Sequence, residues 1–434
     1  MAKGKKKENR SKLLPILILV IGLAVIGLIL TFSFNSDDTP APTTEIIDSV
    51  KQKQIDEKKK QDFINASTAT DDSNTKVIRM SEPVDPNVPY QLDQNAGKTV
   101  RRIFNGRRIN IAITGLDSRM GTHSNHADAN HVLSILIDSG VIELTTIPRD
   151  TPADAGMPDS TLQNKLTIVR AVKGREAYHK ELADIAGLDK IHYYIELSFS
   201  QAMGIIELFG FKDSKSALQV LRSRTGLGGD DYQRCYNQAQ FIRQMTLRNF
   251  NKLTGVVGEV LIRGGFALVE TNLTVETLKN IRDRLKVKGF PKNPDDITIR
   301  VRPPMGMNFK VFDFTDESVF QSLRKKIERF NEETGKKDTI EPVNIYYRLR
   351  HLLSNSARDT AKKPDNVIRA LTTYFDQHAW LQISNLQNRD SIREQFAVQL
   401  INAYSKKKQY AKAARVRDII NAEKNVLLNP VNKN

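Results

Sequence analysis

The first apolar run spans residues 13–30 (LLPILILVIGLAVIGLIL) and holds no charge. About 20 such residues cross a bilayer as a helix, so 13–34 is predicted as a transmembrane anchor. A secretory signal would carry a shorter apolar run, about 7–15 residues, ending at small residues. Thr31-Phe32-Ser33-Phe34 does not supply that ending. Residues 1–12 hold six basic residues against one acidic, so they are expected as a cytoplasmic tail of a single-pass protein of the cell membrane. The bulk of the chain is then extracytoplasmic. Residues 35–104 are polar and Pro-punctuated (SEPVDPNVPY) and read as a stalk.

From residue 108 the pattern changes. Residues 109–114 (INIAIT) predict a buried strand ending at Gly115, with further strands at 131–137 and 141–147. Asp138-Ser139-Gly140 between the latter two suits a hairpin turn. Residues 166–186 place Ile168, Val172, Leu182 and Ile185 at helical spacing. Residues 192–197 read as a strand, 200–209 and 232–252 as helices, 272–285 as a helix, and 297–301 and 310–314 as late strands. Strands interleaved with helices predict a layered α/β domain over 105–330. Residues 331–434 look helical, with a break at Ser405-Lys406-Lys407-Lys408 inside 394–423, and resemble one hairpin of a helical repeat. A solvated appendage and a docking surface for a protein partner or an anionic polymer both remain open for this extension.

Charge alters the picture only in part. Lys and Arg number 66 against 50 Asp and Glu, a net charge of +16. Residues 331–434 carry eighteen basic against eleven acidic, and the middle of the chain is nearly balanced, so no uniform basic surface is expected. Beyond a membrane, neither DNA nor ATP is an ordinary partner, and nucleic-acid binding is not inferred from the basic charge. Lipid headgroups, phosphate-bearing glycans and wall polymers are the acidic partners available there. Cys235 is the single cysteine, which excludes an intramolecular disulfide and Cys-rich metal sites.

Charged residues gather at the ends of the expected strands. Asp117 and Arg119 follow the first strand; His126 and Asp128 precede the second; Arg149 and Asp150 follow the third. Arg222 and Arg224 then lead through a glycine-rich loop to Asp231, Arg234 and Gln238. Strand ends are where layered α/β folds collect ligands. Guanidinium forks grip phosphate oxygens and keep their charge, while paired carboxylates hold Mg²⁺ with part of its water shell. Together they suit phosphoryl transfer; singly, each could be a surface ion pair of little energetic weight. No G-x-S-x-G elbow and no G-x-x-x-x-G-K-[ST] loop is present. Cys235 reads as a small core residue rather than a nucleophile. His123, His126, Asp128 and His131 could also be read as a transition-metal loop, although they lack helical H-x-x-x-H register.

GLDSR (115–119), the Asp at 128, IPRDT (147–151), HYYIEL (192–197), LRSR (221–224), DYQRCYNQ (231–238) and ETNLT (270–274) resemble the LytR–CpsA–Psr family of cell-envelope glycopolymer phosphotransferases. The resemblance covers about residues 105–320. It implies a three-layer α/β/α domain with an apolar tunnel for a polyprenyl chain. It implies transfer of a glycopolymer from a polyprenyl-pyrophosphate carrier to a cell-wall acceptor, typically a hydroxyl of peptidoglycan. By the same resemblance Asp117 and Asp128 would hold Mg²⁺, and Arg149, Arg222, Arg224 and Arg234 would grip the diphosphate. Asp231 would orient the arginines, with Arg119, His126, Asp150 and Gln238 at the substrate. His126 and Ala129 stand where the family has arginine and threonine, and Asn237 where arginine is common. Those departures keep open an alternative: a non-catalytic protein that binds polyprenyl pyrophosphate or an anionic polymer as a scaffold of the envelope.

Overall fold

A computed structural model describes residues 88–98, 106–118, 120–122, 125–224, 227, 230–253, 255–334, 345–359 and 363–427. The expected tail, anchor and most of the stalk lie outside the described residues, as does Arg119.

The strands are β1 (Gln91–Asp93), β2 (Arg108–Asp117), β3 (His126–Leu136), β4 (Val141–Ile147), β5 (Tyr193–Leu197), β6 (Glu270–Thr271), β7 (Ile297–Val301) and β8 (Phe309–Val311). Six of them form one mixed sheet in the order β6-β5-β2-β3-β4-β7. β2, β3 and β4 run antiparallel as neighbours, and β5 and β7 join in parallel on either side. β1 and β8 pair separately. The helices are α1 (Leu166–Val172), α2 (Gly174–Ala186), α3 (Phe199–Leu208), α4 (Ser214–Arg222), α5 (Asp231–Asn249), α6 (Gly255–Ala267), α7 (Val275–Val287) and α8 (Glu317–Thr334), then α9 (Ile345–Asp359), α10 (Pro364–Asp376), α11 (Leu386–Lys406) and α12 (Tyr410–Leu427).

Alternation along the strands sets the layers. Ile111, Ile113, Leu133 and Ile135 face one way and are buried with α3, α4, α5 and α7. Ala112 and Val132 face the other way, onto Leu166, Val169, Tyr178 and Leu182 of α1 and α2. Helices therefore cover both faces, the expected mixed α/β layering. The single helix expected over 166–186 is two, because the chain turns at Gly174 with φ +85°. β3 begins at His126, five residues ahead of the expected start, because Asp128 and Asn130 are buried with partners. Asn130 accepts a 2.7 Å hydrogen bond from the Tyr178 hydroxyl, so a polar residue there does not mark the end of the strand.

The helical extension packs into the same core. Trp380, Leu381, Phe375 and Phe396 are buried in the cluster that contains the α3 side chains. Gly204 on α3 lets it approach: a Cβ at 204 would stand 2.7 Å from Leu381 Cδ1. Arg389 of α11 holds Glu207 of α3 through two hydrogen bonds, 2.6 and 3.0 Å. Within the extension, buried Glu423 accepts from Trp380 Nε1 at 2.7 Å and lies 3.0 Å from His378 Nδ1. Burial alone would raise the Glu423 carboxyl, but His378 and Arg393 hold it below the usual carboxylate range. The break expected at 405–408 overlaps the gap at 407–409 between α11 and α12, with Ser405 and Lys406 ending α11. Trp380→Ala should cost about 3–5 kcal/mol, since it empties a buried site and leaves Glu423 short of a donor; urea unfolding of the full chain checks this.

Candidate active site

Of the charged residues singled out above, Asp128, Arg149, Arg224, Asp231 and Arg234 come together where β3 and β4 meet the first turn of α5. Arg149 follows β4, and its Nη1 donates to Asp128 Oδ1 at 2.7 Å. Its backbone N–H donates to Asp231 Oδ2 at 3.3 Å. Asp231 opens α5, where the helix N-terminus favours a carboxylate, and Asp230 before it accepts from the Tyr232 N–H at 2.8 Å as a cap. One turn on, Arg234 Nη2 lies 2.5 Å from Asp231 Oδ1 and 3.3 Å from the Asp128 carbonyl. Arg224 reaches the same Asp231 oxygen at 3.5 Å. Arg222, the last residue of α4, sets its guanidinium 5.1 Å from the centre of the Phe199 ring. Thr167 of α1 adds a long hydrogen bond, 3.4 Å, to Asp128.

Three guanidinium groups, from Arg149, Arg224 and Arg234, share the carboxylates of Asp128 and Asp231, and the half-exposed Asp150 adds a third carboxylate beside Arg149. Burial, and then Arg234 and Arg149, pull the Arg224 guanidinium down. Burial would do the same to Arg234, which Asp231 more than offsets. Arg224 Nη2 and Arg234 Nε and Nη1 are buried with no hydrogen-bond partner among the described residues. Unmade hydrogen bonds on a buried cation are costly. Arg170 and Arg175 show the contrast. Arg170 binds Glu196 with a fork at 2.7 and 2.8 Å, and Arg175 reaches the same carboxylate at 2.6 Å. Those two arginines are bound to Glu196; the ones at the α5 turn are not matched in this way.

The remaining residues are placed differently. Asp150 is half exposed, 3.2 Å from Lys165 Nζ and 3.7 Å from Arg149 Nε. Burial would raise its carboxyl, but Arg149 and Lys165 hold it below the ordinary range. His126 pairs with Asp117 across β2 and β3. Gln238, assigned to substrate above, is fully buried instead. Its Oε1 lies 3.2 Å from His131 Nε2, and its Nε2 donates to the Leu221 carbonyl at 3.3 Å. It therefore holds the chain that enters Arg222 from beneath, because its position on α5 faces the sheet. Cys235 is buried, and burial followed by the Asp231 carboxylate pushes its thiol up to about 12, which suits a core residue. Phe199, Thr167 and Lys165 belong to the site without having been singled out. Lone polar or aromatic residues at helix starts carry no motif, so nothing in the sequence marked them.

Asp117 and Asp128 provide two carboxylates, and no group of three or more metal-ligating side chains occurs among the described residues. Two carboxylates do not make a closed protein cage for a divalent ion, and that of Asp128 is already paired with Arg149. The transition-metal reading fares worse. His131 points away to Gln238, and its buried imidazole is pushed down to about 3 by desolvation. An imidazole that titrates near 6.5 when unfolded and near 3 when folded leaves the unfolded chain binding the extra proton in between. Stability should fall as pH drops through that window, by about 1.4 kcal/mol per pH unit. His131→Gln should flatten the slope of unfolding free energy between pH 6 and 5 by about that amount, read from denaturant titrations at each pH.

Residues 61–212 match the sequence model of the LytR_cpsA_psr family, a span that holds Asp117, Asp128 and Arg149 but ends before Arg222. No curated protein matches the chain. A Streptococcus agalactiae structure is similar at 14% identity, covering 54% of this chain and 97% of that one, with a TM-score of 0.36. TagV of B. subtilis is similar at 14% identity, covering 52% and 97%, with a TM-score of 0.36. TagT of B. subtilis is similar at 14% identity, covering 54% and 96%, with a TM-score of 0.33.

Proposed function

We propose, for a chain whose residues 61–212 carry LytR_cpsA_psr family sequence, that the cluster at the start of α5 transfers a glycopolymer from a polyprenyl-pyrophosphate carrier to a hydroxyl of a cell-wall acceptor. The carrying observation is the convergence of Arg149, Arg224 and Arg234, with N–H groups of Arg224 and Arg234 that are buried and have no hydrogen-bond partner among the described residues. A diphosphate is the ligand that such a set fits, since its oxygens accept several forked hydrogen bonds at once.

In this reading Arg149, Arg222 and Arg224 hold the diphosphate. Arg234 supplies positive charge from beneath, and Asp231 keeps Arg224, Arg234 and the Arg149 backbone in one arrangement. The acceptor oxygen bonds to the phosphorus on the glycan side, and its proton passes to water. The bridging P–O bond breaks, and polyprenyl phosphate leaves with that oxygen and the electron pair. Arginines already in place neutralise the charge that grows on the leaving phosphate. A magnesium ion held by Asp117 and Asp128 would contribute further neutralisation of phosphate charge. The chain would act outside the cell membrane, anchored by residues 13–34 beside its lipid carrier, with peptidoglycan as the acceptor polymer.

The substitution of His126 and Ala129 for the family's arginine and threonine favours a second reading, binding of the carrier without turnover. Purified full chain in detergent, given a polyprenyl-pyrophosphate-linked glycan and magnesium, should release polyprenyl phosphate. Arg224→Ala should lower kcat/KM by about 10²–10³, and Asp128→Ala should do at least as much. Wild-type rates in both variants would sink the assignment, and tight binding with no product would select the second reading.

A further inference from the structure

The loop joining Asp117 to His126 is held by a residue 256 positions away. Gln377, just after α10, is buried in spite of its amide. Its Oε1 accepts the Gly121 N–H at 2.8 Å, and its Nε2 donates to the Thr122 carbonyl at 2.8 Å. A primary amide that meets a backbone donor and acceptor in this way acts as one rung of a β-ladder and fixes the loop in register. Arg348 of α9 adds a 3.4 Å bond to the Met120 carbonyl. The Tyr374 ring closes over Gly121, where φ is +81° and a Cβ would stand 2.2 Å from Tyr374 Cζ. A glycine is required there on both counts.

The same short segment grips a second element. The Ser198 hydroxyl donates to the Gln377 carbonyl at 3.1 Å, and Gln201 Nε2 donates to the Asp376 carbonyl at 3.2 Å. Gln382 Nε2 donates to the Ser200 hydroxyl at 2.7 Å. Ser198 and Gln201 form the capping box of α3, and Phe199 between them carries the Arg222 guanidinium on its ring. Residues 374–382 thus join the loop between Asp117 and His126 to the platform under Arg222.

We propose that Gln377 is a positioning residue of the candidate site, so that the helical extension is part of the diphosphate-binding machinery and not an appendage. It touches neither phosphate nor acceptor; it sets where Asp117 and Arg222 stand. This rests on the diphosphate reading above. Gln377→Ala loses the side-chain hydrogen bonds to Gly121 and Thr122, while the core under α10 is untouched.

The full chain in detergent is compared with Gln377→Ala and Gln377→Glu by three measurements: binding of geranyl pyrophosphate with magnesium by calorimetry, amide exchange at 120–122, and Tm. In Gln377→Ala, binding should weaken by about tenfold and exchange at 120–122 should quicken, with Tm within about 2 °C of wild type. Gln377→Glu keeps the acceptor for Gly121 and loses the donor to Thr122, and should fall between. Faster exchange with unchanged binding would show a purely structural bond and overturn the proposal, as would unchanged exchange. A wild-type chain that binds no pyrophosphate would overturn the diphosphate reading and this role together. Unchanged binding in Gln377→Ala beside a wild type that binds tightly would overturn only this role.

Discussion

The sharing of two carboxylates among three guanidinium groups is the constraint on which the rest of the site depends. Asp128 and Asp231 each serve more than one donor, from β4, from the α5 first turn and from the segment after α4. Like charges brought so close must be held against their own repulsion, and burial sharpens that demand. The scaffold answers it with rigid parts. Asp128 sits inside a central strand, Asp231 at a capped helix start, and Gln238 ties α5 to the residue before Arg222. The fold thus holds these charges together by its own contacts.

Much of this was legible in the sequence. The strands at 297–301 and 141–147 are found where alternation and turn chemistry place them. The hairpin between β3 and β4 turns at Gly140, which adopts a φ of +73°. Asp128 and Arg149 were visible as charges beside strand ends, and Arg224, Asp231 and Arg234 as charges flanking a glycine-rich loop; the structure brings them together. What escaped were residues whose burial is set by distant partners. Asp128 and Asn130 looked like the edge of a strand because their partners, Arg149, Thr167 and Tyr178, come from elsewhere in the chain. Helices α4, α6 and α8 were missed; α4 is capped by Asp213, whose side chain accepts from Ser216 N–H at 2.9 Å.

Gln238 and Gln377 mark the limit of such reading. Both are glutamines in helical surroundings, and spacing does not tell a substrate contact from a buried brace. Gln238 sits on the side of α5 that meets the sheet, and Gln377 meets a loop contributed by the other end of the chain. Local patterning predicts which side of a helix is wet, but which backbone it braces is a fact of tertiary contact.

The ladder between β1 and β8 and the amide bridge from Gln377 to Gly121 tie early segments to late ones. A chain synthesised from its N-terminus would hold its acidic and basic groups near one another without their final brace until the segment carrying Gln377 arrives. Nascent or truncated forms would therefore lack the brace on the loop after Asp117, so the timing of completion is built into the order of the segments.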